Sequence, residues 1–128
     1  MIRSKVLIAA FLLVPHAAFA EDASGIKIEL QASMQRHIDR GLIDGQMLSV
    51  NFEDGSIKGY FPTKVHSDVL KGDGYFVMCS EVVDAEGQSI DVDYYLARGE
   101  RGFKVFKTAI NNRAPLIALI NAGEVKRF

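Results

Sequence analysis

The sequence predicts an α+β domain: an N-terminal helix packed on a curved antiparallel sheet of about five strands, closed by a short C-terminal helix. Apolar residues recur every fourth position from Ile26 to Ile38, as one side of a helix requires. Between Leu48 and Ile110, strand-like runs are separated by turn pairs such as Asp54-Gly55. After Asn112 a brief apolar segment opens on proline and stops at Gly123, the pattern of a short helix.

Residues 1–20 stand ahead of this domain and read as a cleavable export signal. Arg3 and Lys5 make the start basic, residues 6–14 are an unbroken apolar run, and Ala18-Phe19-Ala20 supplies the small residues of a cleavage site. The run falls short of the roughly twenty apolar residues that span a bilayer, so no stable membrane insertion is expected after cleavage. Glu21 follows the site where a lipoprotein would carry cysteine, and twin arginines are absent. The expected destination is the periplasm, or full secretion.

Cleavage leaves residues 21–128 as a single domain. Losing Arg3 and Lys5 from the 15 basic residues leaves 13 against 16 acidic ones, a formal charge of −3 with His neutral. That mild acidity gives no electrostatic reason to expect nucleic acid as a partner. Cys79 is the sole cysteine, so no internal disulfide can form and packing must supply the stability.

In order along the chain, Asp22 or Ser24 can cap the first helix, whose stripe is Ile26, Leu30, Met34 and Ile38. Ile26, Ile28 and Leu30 also alternate as a strand would, so the helical pattern is firm from about Leu30; Gly41 suits a left-handed end. Asp54-Gly55 then suits a two-residue type I′ turn, which sets Phe52 opposite Ile57, Val50 opposite Gly59 and Leu48 opposite Phe61. Pro62, lacking an N–H, is expected to end or bend the second strand, leaving residues 66–70 as a short extended piece. Residues 75–83 are apolar on both faces, as in a strand covered on two sides. Residues 90–97 and 103–110 complete a three-stranded meander, and Asn112 is positioned to cap the closing helix with Leu116, Leu119 and Ile120 inward. This order of elements resembles small cystatin-like and NTF2-like domains, which implies a helix seated in the concave side of the sheet.

Candidate site residues fall in two groups. Asp91, Asp93 and Tyr95 are spaced by two and so share one strand face, where two carboxylates can bind a cation or work as acid and base. His66 and Asp68 put an imidazole beside a carboxylate. His37 lies near the helix stripe and reads as a packing residue, and Cys79 as a small buried hydrophobe. Residues 84–87 lack the ligand spacing of a calcium loop, and Gly72-Asp73-Gly74 lacks the lysine and hydroxyl of a phosphate cradle. No cofactor motif, metal-ligand spacing or catalytic signature is present. The expected function is a noncatalytic exported module that binds a protein, peptide or small molecule through its sheet face or the groove beside its helices; a homodimer through the sheet is a further expectation. The alternative is a small hydrolase or isomerase with an NTF2-like pocket.

Overall fold

The computed structural model describes residues 22–128, so the export signal lies outside the described residues. Helix α1 spans Ala23–Gly41; strands β1 to β5 span Met47–Val50, Ile57–Lys71, Phe76–Val83, Ser89–Gly99 and Gly102–Ile110; helix α2 is Ala114–Asn121; and β6 is Lys126–Arg127. Strands β1 to β5 pair antiparallel in chain order and curl into a half-barrel. The outer edge of β2 carries β1 at one end and β6 at the other, through the pairs Met47 with Tyr60 and Lys126 with Lys71.

Asp22 is the cap of α1, its carboxylate accepting from the Ser24 N–H at 3.2 Å. The helix starts well before Leu30 because Ile26 lies one turn ahead of it and packs against the same core, while Ile28 is left exposed. Gly41 does not end the helix in a left-handed conformation. Leu42 leaves extended, and the reversal comes at Asp44 and Gly45, with φ of 50° and 75°. Ile43 and Gln46 exchange both backbone hydrogen bonds across that pair, so the tight Asp-Gly turn with two positive φ angles forms here.

At Asp54-Gly55 the expected two-residue turn is replaced by a longer loop. Asn51 and Asp54 each accept a bond from the N–H two residues on, at 2.9 and 2.8 Å, and Asn51 N–H donates to Ser56 C=O. These local side-chain bonds draw residues 52–55 into the loop. The strands then close as Val50 with Ile57, Ser49 with Lys58 and Leu48 with Gly59, two positions from the expected register. A slip of two preserves the faces, so Leu48, Val50, Ile57 and Phe61 still share one side.

Strand β2 also departs from expectation, running through Pro62 to Lys71 as one element. Pro62 pairs with Val82 beside a register shift, and the outer edge there has no strand partner among the described residues, so its missing N–H breaks no ladder. Residues 66–70 belong to this strand.

The core fills the concave face. Leu30, Met34 and Ile38 of α1 meet Tyr60, Val69, Met78, Val82, Val92, Tyr94, Leu96 and Phe103 from the sheet. The polar pair set within it is satisfied: Ser80 Oγ and the Tyr94 hydroxyl lie 3.0 Å apart. The convex face is covered in part by α2, where Leu116 is buried. Gly123 ends α2 as expected, with φ of 71° and with the bonds Gly123 N–H to Ile120 C=O and Glu124 N–H to Leu119 C=O of a Schellman motif. Asn112 is not its cap. Arg113 occupies that position and makes no capping bond, since a guanidinium has no acceptor to offer the free N–H groups; it points instead to Asp93 below the helix.

Candidate functional site

The alternation of β4 sends Val92, Tyr94 and Leu96 into the core and Asp91, Asp93 and Tyr95 to the convex face. Three of the convex-face neighbours differ sharply in burial. Asp93 is only 2% exposed, Asp91 is exposed, and Tyr95 is intermediate.

Asp93 survives burial because two donors reach the same oxygen. Arg113 Nη2 lies 2.9 Å from Asp93 Oδ1 and Cys79 Sγ donates to it at 3.0 Å. Cys79 is placed to do so by the β3–β4 ladder, in which it stands directly opposite Asp93. Arg113 also reaches Asp91 Oδ2 at 3.5 Å, so one guanidinium joins two acids of the same strand face. A buried charge paired in this way is costly to strip of its partner.

The same arrangement makes Cys79 inert. Burial, followed by the hydrogen bond to Asp93 and the charge of Asp93, pushes its thiol up to about 12. A thiol held neutral is neither a nucleophile nor a metal ligand at ordinary pH. The hydrogen bond that Arg113 donates to Asp93 likewise raises the guanidinium above its already high value.

A cleft of about 280 Å³ opens between α2 and this face. Leu70, Val77, Leu116 and Ile120 form its apolar wall, and His66, Asp68, Asp91, Arg113 and Arg127 its polar rim. Of the sequence-predicted site residues, His66, Asp68 and Asp91 thus meet at one cleft, with Asp93 beneath Arg113. Tyr95 is not among its lining residues; it packs with tilted rings against Tyr75 and Phe106, at centroid distances of 6.4 and 6.3 Å.

His66 and Asp68 do not pair with each other. His66 Nε2 lies 3.3 Å from Glu81 Oε2, and Asp68 meets Arg127 at 3.4 Å. Glu81 was missed by sequence reasoning, although alternation along β3 sets it on the face of Cys79 and Val83. Its partner across the hairpin is Asp91. His37 is exposed, edge-on to Tyr94 and 3.4 Å from Thr108 Oγ1.

A larger cleft of about 520 Å³ separates α1 from β5. Arg36, His37, Arg40, Arg101 and Lys104 line it without any carboxylate. Arg36 and Arg40 are one helical turn apart, and the mean charge of the chain conceals their concentration with Arg101 and Lys104. Such a basic concavity can receive an oxyanion through several N–H donors.

No protein-family model, curated protein or solved structure matches this chain.

The Cys79 thiol is less acidic folded than unfolded, where its value is near the ordinary 9.0. Its contribution to stability is therefore complete below about pH 9 and declines as pH rises toward 12, since the unfolded chain gives up the proton first. Urea midpoints measured from pH 8 upward should fall less steeply for Cys79→Ala than for the wild type, and the wild-type thiol should react with a disulfide reagent at pH 8 only after unfolding. Parallel pH curves, or rapid labelling of the folded protein, would contradict this account.

Proposed function

We propose that this chain is an exported, noncatalytic binding module that takes a small amphipathic molecule in the cleft between α2 and the convex face of the sheet. The observation that carries this reading is the cleft's composition: an apolar wall of Leu70, Val77, Leu116 and Ile120 beneath a rim of opposite charges. Sites for small molecules commonly combine such a wall with a few placed polar groups that fix orientation. The rim offers both an anionic acceptor, Asp91, and a cationic donor, Arg113, so a ligand with an apolar body and a hydrogen-bonding head meets its needs on one side.

The pocket-enzyme alternative is less well supported. In the NTF2-like arrangement suggested by element order, chemistry would sit between the helix and the concave sheet, and here that space is filled by Leu30, Met34, Ile38 and their partners. Asp93 is engaged by Arg113 and Cys79, and Asp68 by Arg127. Neither is a free base.

We also propose self-association through the sheet. Leu48, Val50, Ile57 and Phe61 lie on one face of the β1–β2 hairpin, each more than 40% exposed, and Phe52 at its tip is 96% exposed. An apolar patch of this kind is a usual mark of a protein interface.

In protein-observed NMR with a library of small amphipathic fragments, binders should shift the methyl signals of Leu70, Val77, Leu116 and Ile120. Ile120→Gln, at a position 45% exposed, should weaken them about tenfold, or ~1.4 kcal/mol, without loss of folding. Shifts confined to other surfaces would overturn the assignment. Light scattering should give the mass of a dimer that Phe61→Glu returns to a monomer; a monomer at high concentration would end the self-association proposal. Protein recovered outside the cytoplasm should begin at Glu21, whereas an intact residue 1 in that fraction would refute cleavage.

A further inference from the structure

We propose that His66, Glu81 and Asp91 form a binding site for a single divalent transition ion of the zinc class. The three residues come from three neighbouring strands, β2, β3 and β4, so their backbones are held by the ladder and not by a loop. Glu81 and Asp91 stand directly opposite one another in that ladder. Carboxylates facing each other across a strand pair repel, and a shared cation between them removes the penalty.

The distances suit an ion. One donor atom from each of the three residues lies within 4.8 Å of the other two. His66 Nε2 and Glu81 Oε2 are already 3.3 Å apart. Bonds of about 2.0–2.2 Å to a common ion would set tetrahedral donors roughly 3.3–3.6 Å apart, so that pair needs almost no movement and Asp91 only a side-chain rotation.

The surrounding groups orient these donors in the way that outer partners of metal ligands do. Ser89 Oγ donates to Glu81 Oε1 at 3.2 Å, which leaves Oε2 turned toward His66. Arg113 holds Asp91 by Oδ2 at 3.5 Å and leaves the other oxygen for the ion. An imidazole with two carboxylates selects borderline ions such as Zn²⁺ over Ca²⁺ or Mg²⁺, which favour all-oxygen shells. Asp91 is exposed, so the remaining coordination positions face water. His66 and Asp91 also belong to the rim of the α2 cleft, and an ion there would present its open positions to whatever the cleft contains. The ion site needs no organic ligand to form.

Purified protein, stripped with a chelator, should be titrated with Zn²⁺ in competition with a chromophoric indicator, and separately with Co²⁺ while its visible absorption is followed. The expected result is one ion per chain and a Co²⁺ spectrum with an imidazole ligand. His66→Ala and Glu81→Gln should each remove this binding, Ser89→Ala should weaken it about 10-fold or more, and His37→Ala should leave it unchanged. Circular dichroism of each variant checks that the fold persists. Zn²⁺ bound equally well by folded His66→Ala and Glu81→Gln, or not bound by the wild type, would overturn the site. Fragment binding in the cleft with no Zn²⁺ binding would remove the ion and leave the small-molecule reading intact; Zn²⁺ binding with no fragment binding would do the reverse.

Discussion

Strands β3 and β4 are buried along the concave face and at Val77 and Asp93 on the convex one, and the rest of the molecule is arranged around covering both. Met78, Val82, Val92, Tyr94 and Leu96 are fully buried on the concave side, and Val77 and Asp93 are equally withdrawn on the convex side. Helix α1 supplies the concave cover through its stripe of Leu30, Met34 and Ile38. The convex cover is harder to provide. Helix α2 is only 8 residues long, and a helix of that length has little stability of its own.

What holds α2 in place is a contact at its first turn. Arg113 enters the helix with its guanidinium on Asp93, and Leu116 follows into the sheet one turn later. This ion pair makes a buried carboxylate tolerable where a hydrophobe would have been simpler, and without the cation the buried carboxylate would lose its charged partner. The same geometry keeps Cys79 neutral and leaves a cleft beside the helix in place of a filled core. Cover, charge and cavity are thus one arrangement.

Much of this was legible in the sequence because periodicity reports faces. The four-residue spacing from Ile26 to Ile38 marks α1, the two-sided apolar run of residues 75–83 marks a central strand, and the two-residue spacing of Asp91, Asp93 and Tyr95 puts them on one surface. Pairing and turn geometry were less legible, since they depend on competition among local bonds. Asp44-Gly45 and Asp54-Gly55 are the same dipeptide, yet the first makes the tight turn, and the second becomes part of a longer loop because Asn51 and Asp54 bind backbone N–H groups nearby. The roles of Glu81 and Arg113 were hidden for a related reason. Each acts on a partner that only the β3–β4 register, or the descent of α2, brings within reach. Strand β6 is shorter than any periodic signal, and its place beside Leu70 and Lys71 is a tertiary outcome.

The central claim is that the Arg113–Asp93 contact docks α2 onto the convex face and so creates the cleft. Amide hydrogen exchange on the wild type and on Arg113→Met tests it most directly, because the two helices cover opposite faces of the same strands. The account predicts that the amides of α2 lose most of their protection in the variant while those of α1 keep theirs. Unchanged protection in α2, or loss in both helices together, would contradict it.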